Sequence, residues 1–334
     1  MFCPFNIAVV TLAPHTVNGY AWGPVVRPLG AACVTAIGVD PKNDSAWYVG
    51  GLSGLFMTKD GGHQWSKPLH GQVGPILVAA GPDGETLVYA GVTNRLYLTR
   101  DDGATWALLR SWRGGPRVRS LLVAGMSLYV GLHGDSHAQP SGVFKSNLGG
   151  GQWSFSPFGP GHTGLIVWSL ARDHSSGALY AGTEIFDHPQ PYEPPLFRSA
   201  DGGAPWTDIA GPLPWHSVAV AVGPDGHLYA LTEGAGLFGS DDQGSTWSSH
   251  SPGPGPTASL LLHPTAAAGL LGGQQRFLSL PGGAYQSLDG GASFQPIGLP
   301  GVTVAGLAVN GSGTRVYAAA YASGIYTAPI PAVP

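Results

Sequence analysis

Two polar stretches of the sequence carry residue types that could do chemistry, residues 131–141 and residues 183–194. Imidazole and carboxylate groups together suit zinc, iron or manganese. The candidate metal ligands are His133, Asp135, His137 and His188. Carboxylates on either side of a glycosidic bond are the minimum for glycoside hydrolysis or a related acid/base reaction. The candidate acid/base residues are Glu184, Asp187 and Glu193.

Aromatic residues next to polar groups form a second set of candidates. Such pairs suit the stacking of a sugar or a peptide. The candidate ligand-binding residues are Trp112, Arg113, His162, Trp168, Tyr192, Trp215 and His216. Three interpretations of the two polar stretches stay open: a metal or catalytic site, a surface that contacts a ligand, and a pair of solvated loops. No helix fixes the spacing of His133 and His137, so that spacing is a weak signal.

A repeated turn must position these residues. Residues 240–247 fit the pattern Ser/Thr-x-Asp-x-Gly-x-Thr-Trp, and each copy follows a short apolar run. Close copies lie at residues 58–65, 99–106, 199–206 and 287–294, and a copy without the Asp lies at residues 146–153. The Asp can accept bonds from nearby backbone N–H groups, and the Gly tolerates positive φ. One carboxylate per turn is too few for calcium, so the pattern predicts a structural turn.

The spacing of these turns predicts the fold. Their closing aromatic residues lie 41 to 53 residues apart, which suits four short strands and their turns, a propeller blade. We therefore predict an all-β chain: a single domain, residues 1–334, folded as a seven-bladed β-propeller of four-stranded blades. The predicted blades are residues 34–70, 71–115, 116–160, 161–212, 213–254, 255–299, and 300–330 together with 5–13. In this fold Trp168 could face either a ligand, the central channel or a neighbouring blade.

The seventh repeat stops near Thr327 before its outer strand, while residues 6–12 form a spare apolar strand near the N-terminus. Joining the two would remove an exposed sheet edge. We therefore expect the N-terminal strand to close the last blade. The alternative is six blades with that strand packed elsewhere.

Composition excludes several classes of function. Glycine (53) and proline (30) are abundant and only 10% of residues are charged, which is typical of a turn-rich all-β protein. The net charge of −4 argues against nucleic-acid binding, and no apolar run of 18 residues predicts a membrane span. The two cysteines, Cys3 and Cys33, either pair with each other or remain as thiols.

The turn resembles the Asp-box (bacterial neuraminidase, BNR) repeat. The order Asp40–Pro41, Tyr48, Gly54-Leu-Phe, Asp60-Gly-Gly and Trp65 is similar to the propellers of sortilin, photosystem II assembly factors and xyloglucan-cleaving endoglucanases. The resemblance covers nearly the whole chain but lies in scaffold residues, so it implies fold rather than function. It also implies a secreted, periplasmic or cell-surface location. The sialidase arginine triad and the xyloglucanase carboxylate have no match here, and the arginines after the second repeat only weakly resemble an assembly-factor patch.

We expect a binding or scaffold propeller that recognises a protein segment or glycan on the loop-rich face opposite the Asp turns. No cofactor is expected, with a divalent metal as the alternative. The alternative function is an extracytoplasmic glycoside hydrolase or polysaccharide lyase. Its acid/base residues would lie in the two polar stretches.

Overall fold

The computed structural model describes residues 15–26, 33–133, 141–160, 162–185, 196–211, 213, 217–223, 225–232, 236–250, 276–280, 283–289, 293–321 and 323–331. Within these ranges the chain forms β-strands and no helix, as an all-β composition predicts. No helix among them is long and apolar enough to cross a membrane.

The strands follow one another as short antiparallel meanders. The first group comprises β1 (His15–Val17), β2 (Tyr20–Val26), β3 (Val34–Asp40), β4 (Asn43–Gly51), β5 (Gly54–Thr58), β6 (Ser66–His70), β7 (Val73–Ala80), β8 (Thr86–Val92), β9 (Arg95–Thr99) and β10 (Ala107–Ser111). The second comprises β11 (Arg117–Ala124), β12 (Ser127–His133), β13 (Gly142–Asn147), β14 (Trp153–Pro157), β15 (Leu165–Arg172), β16 (Leu179–Ile185), β17 (Leu196–Ser199) and β18 (Thr207–Asp208). The third comprises β19 (Ser217–Val222), β20 (Leu228–Thr232), β21 (Gly236–Ser240), β22 (Ser248–Ser249), β23 (Arg276–Leu280), β24 (Gly283–Ser287), β25 (Gln295–Gly298), β26 (Val304–Val309), β27 (Arg315–Ala320) and β28 (Gly324–Pro329).

These strands pair into sheets that repeat one plan. The sheets β3–β6, β7–β10 and β19–β22 each have four strands in chain order. Strands β11–β18 form two such meanders, which are joined by a single pairing between His133 and Ile166. Strands β23–β25 form a three-stranded sheet. The first strands of successive meanders contact each other in the order β26, β3, β7, β11, β15 and β19, which is a propeller-like arrangement.

The core lies between neighbouring sheets. The second strand of each meander is apolar on both faces, and every residue of β8 is buried. Leu87 and Tyr89 of β8 pack in one cluster with Leu128 and Val130 of β12, one sheet further on. Burying each such side chain contributes roughly 1.5–3 kcal/mol. Each sheet therefore needs its neighbour to cover its face, as expected of a repeat architecture.

The repeated turn is held by its own side chains. Thr99 Oγ1 donates to Asp101 Oδ1 (2.7 Å), and the Gly103 N–H donates to Thr99 Oγ1 (2.9 Å). The Thr105 N–H and hydroxyl donate to the two carboxylate oxygens of Asp101 at 2.9 and 2.6 Å. Asp242 and Asp289 make the same set of contacts. Both carboxylate oxygens are thus used inside the turn, in agreement with the structural interpretation of the motif.

The two ends of the described chain meet in one sheet, but through a different strand from the one predicted. The sheet has the order β1-β2-β28-β27-β26, so β2 (Tyr20–Val26) lies against the edge of β28. The sequence had placed residues 5–13 there, and that segment lies outside the described residues. The prediction therefore named the wrong strand for this position. Strand β2 occupies it because its side chains Tyr20 and Trp22, both 1% exposed, pack into the core of the last sheet. The alternative in which Cys33 pairs with Cys3 also involves a residue outside the described part.

Candidate functional site

The innermost strands β3, β7, β11, β15, β19 and β26 all shift their pairing register near the same end, and the shifts in β11 and β15 concern the site. In β11 the pairing register shifts between Val118 and Ser120, and in β15 it shifts between Val167 and Ser169. The residues at these β-bulges are Arg119 and Trp168. A bulge bends its strand and redirects the side chain of the extra residue. Both side chains are therefore redirected at neighbouring points of the ring of innermost strands.

The two side chains meet and are held by two further groups. The guanidinium carbon of Arg119 lies 4.7 Å from the centre of the Trp168 ring. The Trp168 indole N–H donates to Glu184 Oε2, and Arg119 Nη2 donates to His133 Nδ1 at 3.3 Å. We call Arg119, His133, Trp168 and Glu184 the Arg119 cluster. All four side chains are partly buried.

The strand pairing explains why these residues come together. His133 ends β12 and Glu184 is the penultimate residue of β16, and both pair with Ile166 of β15. Strands β11, β12, β15 and β16 thus bring four side chains from two neighbouring meanders to one rim. This rim, where β12 and β16 end, lies on the side opposite the aspartate turns.

The cluster is a desolvated cation beside an aromatic ring. Burial lowers the pKa of the Arg119 guanidinium below its usual value, Arg117 lowers it further, and Glu184 opposes the shift. An arginine stays protonated under these conditions, so Arg119 remains a cation. Its contact with the indole face is worth roughly 0.5–2 kcal/mol, more where water is excluded. Arg117 donates to Gln72 Oε1 at 2.9 Å, which extends the polar surface towards β7.

The geometry disfavours His133 as a metal ligand. A histidine that binds a metal through one nitrogen normally donates a hydrogen bond from the other. Here Nδ1 of His133 accepts a bond from a guanidinium cation, which also repels a metal ion. Within the described ranges, no three His, Cys, Asp or Glu side chains are grouped as a metal site. The other predicted ligands, Asp135, His137 and His188, lie outside those ranges.

The remaining predicted residues divide into four groups. His133, Trp168 and Glu184 come together, as described above. Trp112 is 5% exposed and packs edge-on against Phe144 and Trp153, so the prediction that it stacks on a ligand is wrong. The cause is that the loop following β10 folds its indole into the core between two sheets. The candidates outside the described residues are Asp187, Tyr192, Glu193, Trp215 and His216.

Arg113 and His162 lie in the described part but outside the Arg119 cluster. Arg113 is exposed in the turn after β10. The His162 ring packs edge-on against Phe197, with 4.9 Å between ring centres. His162 therefore makes a packing contact. Arg113 makes none of the contacts that fix Arg119.

Sequence reasoning left Arg119 out of the site, although a signal was present. The bulge residue stands between a valine and a small residue, as in Val118-Arg119-Ser120 and Val167-Trp168-Ser169. The small residue then binds the next innermost strand: Ser120 Oγ donates to Val167 O at 2.8 Å. The neighbouring Arg110 behaves differently, since its guanidinium stacks on Trp112, Phe144 and Trp153.

Two surface depressions lie away from this cluster. One, of about 320 Å³, is bordered by Asp40, Lys59 and Arg100, and the other, of about 370 Å³, by Tyr129, Lys145 and Phe155. The first contains an ion pair between Arg100 and Glu85 at 2.7 Å. Neither is bordered by a candidate metal-binding, acid/base or ligand-binding residue. The Arg119 cluster remains the better candidate because its contacts are specific.

Comparison with known proteins supports the fold. No family model matches the chain, and no curated protein matches it. Among solved structures, YCF48 bound to D1 peptide is 15% identical with a TM-score of 0.65, over 95% of this chain and 98% of that one. The extracellular domain of BT4673 from B. thetaiotaomicron is 14% identical with a TM-score of 0.68, over 93% of this chain. An ancestral GH74 enzyme is 17% identical with a TM-score of 0.66, over 90% of this chain.

The chain spans only 40% and 45% of the last two structures. Identities this low show a shared fold and leave function open. Together with the ring of antiparallel meanders, they show that this chain has a β-propeller fold.

Proposed function

We propose that the chain is a binding propeller that holds an extended protein segment against the Arg119 cluster. The observation that carries the proposal is the partly exposed Arg119–Trp168 pair at the rim opposite the aspartate turns. Arginine and tryptophan are the residue types that most often dominate binding energy at protein interfaces. Because His133 and Glu184 fix both side chains, little side-chain entropy is lost on binding.

The ring that supports this surface is proposed to have seven blades. Five four-stranded meanders, the three-stranded sheet β23–β25 and the sheet of β26–β28 with β2 and β1 account for the described strands. The turns would then be Asp-box turns, and the chain would act outside the cytoplasm, as the resemblance implies. YCF48, which resembles this chain in fold, is described as bound to a D1 peptide, and this supports a protein segment as the partner.

A glycoside hydrolase is the second candidate, favoured by the position of Glu184 on the same rim and by the likeness to a GH74 enzyme. Such an enzyme needs a second carboxylate about 5–9.5 Å away. Glu184 is already the acceptor for the Trp168 indole, so its first role in this structure is to orient that ring. We therefore place binding ahead of hydrolysis.

The test is selection from a phage-displayed random peptide library, followed by calorimetric titration of the selected peptides. Arg119→Ala is expected to weaken binding at least ~10-fold, as for a residue that dominates an interface. Lys59→Ala is the control, because it removes a positive charge from an exposed aspartate turn on the opposite rim. Equal affinities of the two variants would overturn the proposal. Turnover of a glycan that disappears in Glu184→Gln would move the assignment to the hydrolase.

A further inference from the structure

A different feature lies on the sheet β19–β22, where a glycine replaces a long side chain. In four preceding sheets, the residue of the third strand that pairs with a second-strand tyrosine carries a long side chain. These residues are Met57, Leu98, Lys145 and Arg198. In β21 the corresponding residue is Gly239, which pairs with Tyr229 on one side and Ser248 on the other. The face of this sheet therefore lacks a side chain at its middle strand.

Two histidines reach into that space from opposite sides. His227 precedes β20 and His250 follows β22, and both lie on the face of Gly239. A Cβ placed on Gly239 would lie 2.4 Å from Nε2 of His227 and 2.6 Å from Nε2 of His250. The two nitrogens are therefore separated by no more than the sum of these distances. Two zinc–nitrogen bonds of about 2.0–2.1 Å each span up to about 4 Å, so one metal ion joins the two nitrogens once the rings close to that separation.

The proton on His227 is held away from this space. Nδ1 of His227 donates to Asp241 Oδ1 at 2.5 Å, because an ionised carboxylate can only accept. The neutral ring then carries its lone pair on Nε2. That nitrogen is buried and has no hydrogen-bond partner among the described residues. A carboxylate behind the ring is the arrangement found behind metal-binding histidines, where it fixes the ring and strengthens the ligand.

His250 is compatible with the same role. Its Nε2 lies 3.0 Å from the Ser248 hydroxyl, which also lies 3.3 Å from the carbonyl oxygen of Gly239. A metal ion at Nε2 would replace the hydrogen bond to Ser248, with the ring proton on Nδ1, and the Ser248 hydroxyl would keep the Gly239 carbonyl as its acceptor. The Asp241 side chain is 89% exposed, so the Nδ1 side of the His227 ring lies at the solvent edge of the sheet.

We propose that His227 and His250 form a binding site for one transition-metal ion, with Asp241 orienting His227. Imidazole ligands suit copper, nickel and zinc rather than magnesium or calcium, and affinity rises towards Cu²⁺ in the divalent series. Water completes the coordination of the ion. The site is independent of the Arg119 cluster and of the proposed partner.

The test titrates Cu²⁺, and separately Zn²⁺ and Mg²⁺, into the purified chain by calorimetry, with paramagnetic resonance of the Cu²⁺ form. We expect one tight Cu²⁺ equivalent with two coordinated imidazole nitrogens, weaker Zn²⁺ binding and no Mg²⁺ binding. His227→Gln and His250→Gln should each abolish that equivalent. Asp241→Asn should weaken it about 10–100-fold, the usual effect of losing a group that orients a ligand.

His174→Gln is the matched control, because His174 is exposed in the turn between β15 and β16. Its Cu²⁺ titration should match that of the unaltered chain. Circular dichroism checks that each variant is folded. If His250→Gln does not fold, His250→Asn replaces it. The proposal is overturned if the double variant His227→Gln/His250→Gln binds Cu²⁺ as tightly as the unaltered chain. It is equally overturned if resonance reports a single imidazole or if His174→Gln removes the site.

Discussion

The strand β2 should contribute strongly to stability, and Trp22 is the residue that tests this. Trp22 is 1% exposed and packs with Ile297, Leu299 and Tyr326 in the core of the last sheet. Its indole N–H donates to the Ile297 carbonyl at 2.6 Å, a contact between residues 275 positions apart. It therefore ties the first described strands of the chain to β25, in the preceding sheet.

Replacing Trp22 with alanine removes a large buried ring and should cost about 3–5 kcal/mol. For a chain of this length each kcal/mol lowers Tm by about 2 °C, so the expected fall is about 6–10 °C. Trp22→Phe keeps most of the apolar surface and leaves the Ile297 carbonyl without its donor, which should cost about 1–3 kcal/mol. The structure therefore predicts that the free energy of unfolding rises from Trp22→Ala to Trp22→Phe to the unaltered chain.

The assay is thermal unfolding followed by far-ultraviolet circular dichroism. Met126→Ala is the control, because Met126 is 62% exposed in the turn between β11 and β12 and should change stability by less than about 0.5 kcal/mol. A Trp22→Ala protein that unfolds within 1 °C of the Met126→Ala protein would refute the assignment of β2 to the closing position.

Two further predictions concern the aspartate turns and the glycines. Hydrogen bonds from the Thr246 hydroxyl and N–H, and from the Ser240 hydroxyl, lower the pKa of Asp242 to about 2. Its stabilising contribution should therefore be complete above about pH 4 and be lost as the pH falls towards 2. Asp242→Asn should flatten this part of the Tm–pH profile, and parallel profiles would contradict the argument. Gly103→Ala should destabilise more than Gly114→Ala in urea unfolding. Both have positive φ, which costs alanine about 1–2 kcal/mol, but only at Gly103 would the new Cβ meet a side chain, at 2.5 Å from Met57 Sδ. Equal losses of unfolding free energy would show that the Met57 side chain moves away from the new Cβ without cost.

The local turns could be predicted because their interactions are local. Thr99, Asp101 and Thr105 bond within one stretch of the chain, so a short motif contains every group that the turn needs. The same holds for the strands on either side, whose alternating or continuous apolar runs follow from burial between sheets.

The closing strand could not be predicted in the same way. Residues 6–12 and Tyr20–Val26 are both plausible strands, and the choice depends on which one fits the edge of β28 and the core beneath it. The positions of two tryptophans could not be predicted from the sequence either. Trp112 and Trp168 both lie near polar residues in the sequence, yet one is folded into the core and the other is turned towards Arg119 by a bulge.

The sequence by itself determined that this chain forms repeated antiparallel meanders with aspartate turns on one side, since those features are set by neighbours along the chain. Only the tertiary structure decided which strand completes the last sheet, which tryptophan contacts Arg119 and which histidines converge. Arg119 lies 49 residues from Trp168 in the sequence, and His227 lies 23 residues from His250. Their contacts depend on strand register, on bulges and on the missing side chain at Gly239. None of these can be predicted from composition or from spacing along the chain.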